Sequence, residues 1–321
     1  MTFHSSAYFR DAITAAADAL DMRPVLIEKD YWVTFVLKNL SRSPYAGITV
    51  FKGGTSLSKA YNCIQRFSED VDLAVIPQDG LSQNQLKKLL SDIDNTITTG
   101  LEYIGGDKKG RNRTTLYNYP KTIEGQPFGA VKEHIKIEVN TFTNPVPHQA
   151  LPISSYLYQF LLERENTELI DAYELHPFSL NVLSLERTFF EKVLALNRLS
   201  YNGIDSLKGK IRHFYDLHQL YHNTRLTETI FLPTSREVLL LVRKDDERLQ
   251  TFDGPWKNQP YAASPLFTSL EDVWKELTPT YTDELANLLW QGELPSPSSV
   301  LSVMQQIRTF LQAHEHSGTI I

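Results

Sequence analysis

The sequence predicts an α+β fold, a mixed sheet with helices on one side followed by a mainly helical domain. Three observations predict it. Short β-branched and aromatic runs alternate with helix-length amphipathic segments up to about residue 150. Pro145, Pro147 and Pro152 then punctuate the chain. Beyond them the apolar spacing is mostly helical. The 321 residues have room for two domains, and we expect them over 1–150 and 151–321.

The elements follow in order. Residues 7–20 read as an Ala-rich amphipathic helix, and 24–40 as a second whose Pro24 suits the first turn. Ile48 to Phe51 is a strand that ends at Gly53, and Ser56 to Ile64 has helical spacing. Val71 to Ile76 is a strand closed by Pro77. In the helix Ser82–Ile97, Leu86, Leu89, Leu90, Ile93 and Ile97 form one stripe. Tyr103-Ile104 and Thr114–Tyr119 form a hairpin around a glycine-rich basic tip. In His134–Asn140 apolar and polar residues alternate, so Ile135, Ile137 and Val139 face the core while Lys136, Glu138 and Asn140 share the other face. The second domain holds helices over 184–201, 208–221, 269–290 and 298–314, and 231–265 reads as an irregular loop.

Composition narrows the function. The net charge of −6 gives no global attraction for nucleic acid, so an RNA would have to meet a local basic patch. No run is long enough to span a bilayer, and the start Met1–Ser6 lacks a basic region followed by an apolar stretch, so no membrane and no secretory signal are expected. The single Cys63 excludes an internal disulfide and fits a reducing cytoplasm. It lies in the segment read as helix after the glycines, as a small buried residue.

The most informative feature is Asp70-Val71-Asp72, following Gly53-Gly54-Thr55-Ser56 by one helix-length segment. Residues i and i+2 of a strand point to one face, so both carboxylates can hold one hard cation. Two glycines let backbone amides approach a phosphate at the helix start. A carboxylate-held Mg²⁺ beside a phosphate cradle is what phosphoryl or nucleotidyl transfer needs. Glu138 is the natural third carboxylate, as metal ligand or as base; an edge glutamate paired with Lys136 is the plainer alternative. The Thr55 and Ser56 hydroxyls either cap the helix or touch a triphosphate. Ser68 either helps hold a phosphate or turns the chain into its strand.

Phe51-Lys52-Gly53-Gly54-Thr55-Ser56-Leu57-Ser58-Lys59-Ala60-Tyr61 and Arg66-Phe67-Ser68-Glu69-Asp70-Val71-Asp72-Leu73 closely resemble the AbiEii/AbiGii toxin family, within the polymerase-β-like nucleotidyltransferase superfamily. Ile27-Glu28-Lys29-Asp30-Tyr31-Trp32 looks like that family's N-terminal helix. The resemblance covers most of the chain and is weakest over the last hundred residues. It implies a minimal nucleotidyltransferase sheet domain, an active-site cleft completed by the helical domain, and two further motifs. One is a helical lysine, which Lys192 in Glu186–Ala195 matches; the other is an aspartate, which Asp216 in Arg212–Leu217 matches. From the residues alone, Lys192 either snorkels or reaches into a cleft, and Asp216 could pair with Arg212 one turn back. The resemblance implies that Lys192 neutralises a triphosphate and that Asp216 holds Lys192 or a nucleotide group.

It further implies a Mg²⁺-dependent toxin of a bacterial toxin–antitoxin, abortive-infection (phage-defence) system. Such a toxin moves NMP from NTP to RNA, with the 3′ end of tRNA as acceptor and an antitoxin encoded nearby. A protein hydroxyl as acceptor, or a non-catalytic nucleotide-binding module, stays open as an alternative. Lys108, Lys109, Arg111 and Arg113, with Tyr117 and Tyr119 near, form a candidate RNA contact or a solvated hairpin tip. Lys208, Lys210 and Arg212 form a weaker one, and the histidines, His176 included, lack zinc-ligand spacing.

Overall fold

The alternating runs of the first half become strands β1 (Thr49–Lys52), β2 (Val71–Val75), β3 (Glu102–Asp107), β4 (Asn112–Asn118), β5 (Ile135–Asn140), β6 (His148–Ile153) and β7 (Phe178–Leu183). The computed structural model describes residues 2–108, 111–129, 131–230, 232–248 and 253–315. The strands form one mixed sheet of order β3-β4-β5-β2-β1-β7-β6. β2 runs parallel to β5 and β1 parallel to β7; the other pairs are antiparallel. Two compact units make up the chain: Met1–Asn62 with Phe67–Leu183, and Cys63–Arg66 with Ser184–Ile321.

The first unit also holds α1 (Phe9–Leu20), α2 (Pro24–Ser41), α3 (Gly53–Lys59), α4 (Gln83–Ile97), α5 (Tyr156–Glu163) and α6 (Thr167–Ala172). Pro24 occupies the first turn of α2, where its missing N–H costs nothing. Ser82 and Gln85 cap α4 reciprocally. Both helices pack on β5, so the buried Ile135, Ile137 and Val139 make one face of the sheet apolar. The half-buried Asp72, Lys136 and Glu138 fall on the opposite face. Asn140 shares their parity but is buried, with the Thr143 hydroxyl 3.5 Å from its Oδ1.

β6 and β7 carry the sheet past the position where the sequence reading ends it. β6 lies at the edge, where Pro152 is tolerated, and only its last residue, Ile153, is buried, so its apolar alternation is faint. The reading of a helix over Ser56–Ile64 is also corrected. The helix starts at Gly53 and stops at Lys59, leaving Cys63 in the following coil.

The second unit is helical: α7 (Leu185–Ser200), α8 (Ile204–Lys208), α9 (Arg212–Tyr221), α10 (Thr224–Thr227), α11 (Pro233–Glu247), α12 (Pro265–Thr268), α13 (Leu270–Ala286) and α14 (Pro297–Glu315). α7 packs on α9 and α11, and α9 on α14. Phe190 stacks on Phe310 at 5.8 Å, and Phe214 meets Trp274 at 5.2 Å. Gly209 interrupts the helix read over 208–221. The loop read over 231–265 is largely helix, because Asp245 turns inward to Arg187 at 2.6 Å and anchors α11. Phe231 and residues 249–252 of that stretch lie outside the described residues.

Candidate active site

Sheet register sets the first cluster. Thr114 on β4 lies opposite Glu138 on β5, Glu138 opposite Asp72 on β2, and Asp72 opposite Lys52 on β1. Directly opposed residues share a face, so one row crosses four strands. One step before β2, Asp70 comes beside Lys136, whose Nζ is 3.7 Å from Asp70 Oδ2 and ion-paired with Glu138. Burial pushes the Asp72 carboxyl up to about 7, and the charges of Glu138 and Asp70 push the same way. Burial also works against the Lys136 charge, but Glu138, Asp70 and Asp72 outweigh it and raise its pKa. An ammonium thus stands among three carboxylates. Among the described residues no three His, Cys, Asp or Glu side chains form a ready metal cage, since Lys136 draws Glu138 to itself.

Gly53 and Gly54 open α3 beside this row. Gly53 has φ +80°, and a Cβ there would stand 2.1 Å from Asp72 Oδ2. Only glycine allows the carboxylate to approach the helix start so closely. Thr55 and Ser68 share a hydrogen bond of 3.0 Å, which ties α3 to the segment leading into β2. The Ser56 hydroxyl is buried and donates to Gly53 O at 2.9 Å, closing the first turn.

Sequence reasoning missed the shell around these residues. Lys29 is buried, ion-paired with Glu69, and donates to Lys132 O and, at 2.9 Å, His134 O. Glu69 also accepts from Lys132 N at 3.2 Å, which pins the residue before Asp70. Asp30 meets Lys59 at 2.5 Å and accepts Tyr156 N at 2.9 Å, so α3 is held at its far end too. The available signal was Glu28-Lys29-Asp30 set in an otherwise apolar helix, since charges there must be paired.

The second unit brings Lys192, Asp216 and Arg66 together. Asp216 accepts from Arg66 Nε at 2.7 Å and Nη2 at 2.8 Å, and Lys192 Nζ lies 2.8 Å from it. All three are buried. Burial alone would raise the Asp216 pKa, but Arg66 and Lys192 outweigh it and hold the carboxyl well below the usual range. Cys63 lies nearby; burial, then the Asp216 charge, pushes its thiol up to about 12, so it is not a thiolate nucleophile.

The candidate RNA hairpin is corrected. Tyr117 is buried and donates to Asp94 Oδ2 at 3.0 Å, and Arg113 turns inward to the same carboxylate at 2.6 Å. Tyr119 is buried against Trp32 at 5.7 Å. β4 packs under α4, which covers Tyr117, and Tyr119 just beyond the strand lies against Trp32 of α2, so neither tyrosine can stack on a base. Lys108, over the Tyr103 ring at 3.8 Å, and Arg111 stay exposed, while Lys109 lies outside the described residues. Lys208 of the weaker basic cluster pairs with Asp205 at 3.3 Å. Among the described residues no helix is long and apolar enough to cross a membrane.

No curated protein matches the sequence. Among solved structures, MenT4, a nucleotidyltransferase toxin from Mycobacterium tuberculosis H37Rv, is similar with a TM-score of 0.48 and 18% identity, over 91% of this chain and 98% of that one. The family described as "Nucleotidyl transferase AbiEii toxin, Type IV TA system" matches residues 36–303. That match takes in well over half of the sequence, and the chain belongs to the AbiEii family of nucleotidyltransferase toxins of type IV toxin–antitoxin systems.

Proposed function

We propose that this toxin transfers NMP from NTP to an RNA acceptor, the 3′ end of a tRNA, in a Mg²⁺-dependent reaction in the cytoplasm. One observation carries the reading: Asp70 and Glu138 pair with the Lys136 ammonium, and Asp72, opposite Glu138 and close enough to feel that charge, stands beside the Gly53-Gly54 turn. Like charges so close require a cation among them, and Lys136 stands in for it. An all-oxygen donor set suits a hard divalent ion, so the residues present fit Mg²⁺. Asp70, Asp72 and Glu138 would hold it. The ion supplies charge neutralisation at the phosphates when bound.

The chain's own residues supply the rest. Gly53 and Gly54 leave backbone room for the triphosphate, and Thr55, Ser56 and Ser68 fix the shape of that turn through their hydrogen bonds. Lys192 offers a positive charge to phosphate oxygens, kept in place by Asp216, which is itself fixed by Arg66. The acceptor hydroxyl forms the new bond to the α-phosphorus, the bond to pyrophosphate breaks, and the hydroxyl proton passes to Glu138. The exposed Lys108 and Arg111 suit an RNA backbone. The toxin class carries with it an antitoxin partner.

The test is incubation of the purified protein with Mg²⁺, total RNA and each of four α-³²P-labelled NTPs, beside an Asp70→Ala/Asp72→Ala control. A tRNA-sized labelled band with one NTP, absent from the control, is expected. Label that resists ribonuclease and yields to protease would name a protein hydroxyl as acceptor instead. Equal labelling by the control would overturn the role of the carboxylates.

A further inference from the structure

In the second unit, α7 and α9 border a cavity of about 430 Å³. Its volume falls in the range of small-molecule sites. Lys192, Ala195 and Leu199 recur at positions i, i+3 and i+7 of α7, and His213 and Asp216 at i and i+3 of α9. Ala195, Leu199 and His213 line the cavity. The Lys192–Asp216 pair therefore stands on the same two helix faces, one turn along from them.

The lining has a definite chemistry. Ala195, Leu199 and the half-buried Tyr201 form an apolar wall. The His213 imidazole is half-buried; burial first, and then the Lys192 charge, hold its pKa well below the usual histidine value. A neutral imidazole offers one donor and one acceptor, and the exposed Asn202 amide at the rim offers both as well. Lys210 is exposed at the same rim and makes no ion pair among the described residues, unlike Lys208 beside it. The other charged groups of the lining are already paired, Arg198 with Asp246 and Asp253 with Lys257.

An apolar wall, paired donors and acceptors, and one uncompensated ammonium match a planar heterocycle that carries a phosphate. A sugar would not need the ammonium, and a fatty chain would not need the imidazole and the amide. We propose that this cavity is a nucleotide subsite, with the nucleobase against Ala195, Leu199 and Tyr201, its edge read by His213 and Asn202, and a phosphate on Lys210. The inference rests on the transfer reading above for the source of the nucleotide, which is either the NTP donor or an end residue of the RNA acceptor.

Binding measured calorimetrically in EDTA separates the sources. The four NTPs and a short single-stranded RNA are titrated into wild type, Lys210→Glu and Asn202→Ala. Both altered side chains are exposed, so folding is not at stake. About tenfold weaker binding of one ligand to Lys210→Glu is expected, as for loss of one charge-assisted contact. Loss with NTP alone assigns the donor, and loss with RNA alone the acceptor. Turnover then shows a KM for that ligand raised about tenfold with kcat within about twofold. Wild-type binding of both ligands by Lys210→Glu and Asn202→Ala overturns the subsite. Asp70→Asn/Asp72→Asn run alongside separates the two readings: retained transfer there would sink the transfer mechanism, while a binding loss in Lys210→Glu would still stand.

Discussion

Asp216 accepts two hydrogen bonds from Arg66, at 2.7 and 2.8 Å, although 150 positions separate them in sequence. The same carboxylate meets Lys192 at 2.8 Å. One buried anion thus serves two buried cations. Asp216→Asn leaves Arg66 and Lys192 facing each other without a counter-charge. A loss of about 3–5 kcal/mol in urea unfolding is expected, as for a buried pair robbed of one partner. The sign of its pH dependence follows from the depressed pKa. The contribution is full above the ordinary value of 3.8 and is lost as pH falls toward the folded value. Asp216→Asn should therefore show a flatter acid limb than wild type, and parallel limbs would contradict this account.

Gly53 separates space from backbone strain. Gly53→Ala puts a methyl 2.1 Å from Asp72 Oδ2 at φ +80°. Gly80→Ala has nearly the same φ, +78°, with nothing within 4 Å. Both variants carry the cost of a left-handed residue, about 1–2 kcal/mol. Only Gly53→Ala displaces the carboxylate, so a rate loss of at least about tenfold is expected there, and near-wild-type transfer from Gly80→Ala. Equal rates in the two would show that the close approach to Asp72 is irrelevant.

Tyr117 is a structural residue on this structure. Its hydroxyl donates to Asp94, which also accepts from Thr115 at 2.7 Å and Arg113 at 2.6 Å. Tyr117→Phe should cost about 1–2 kcal/mol in thermal or urea unfolding and leave RNA affinity unchanged. Lys108→Glu should do the reverse, weakening RNA binding with a shallower salt slope and no loss of stability.

His218 predicts how the second unit responds to mild acid. It is buried, bonded to Ser299 Oγ at 2.7 Å, and burial, then His222, lowers its pKa from 6.5 to about 4. The unfolded chain takes up this proton near 6.5 and the folded one does not until about 4. Stability must therefore fall as pH drops through that window. His218→Gln removes the effect, so its unfolding midpoint should vary less than that of wild type between these pH values.

How much of this was legible depended on how local the signal was. The β1–α3–β2 unit announces itself by a β-branched run, two glycines and two carboxylates, and the alternation around Glu138 puts it on the polar face of β5. Lys192 and Asp216 were marked through family resemblance. Arg66 stands in a different block, the one that carries Asp70 and Asp72, and its partner cannot be read from the sequence, because no periodicity links positions so far apart. Lys29 and Glu69 were hidden in the same way. α11 was missed because Lys244-Asp245-Asp246-Glu247-Arg248 looks solvated until Arg187 is seen against Asp245. Tyr117 and Tyr119 were misread since hairpin residues look exposed unless the helix that covers their strand is known.

Lys136 yields the last prediction. Its ammonium balances Glu138 and Asp70 and lies close enough to Asp72 to feel its charge. Lys136→Met removes that balance and leaves three carboxylates facing one another. Without metal, the variant should be less stable than wild type, because like charges at this distance repel. Added Mg²⁺ should recover the loss, and raise the melting temperature of the variant more than that of wild type, since a ligand stabilises by its affinity for the folded state alone. Calorimetric melting of both proteins in EDTA and across a Mg²⁺ series measures this directly. A variant that melts like wild type in EDTA and gains no more from Mg²⁺ would mean that Lys136 does not hold a cation's place among these carboxylates.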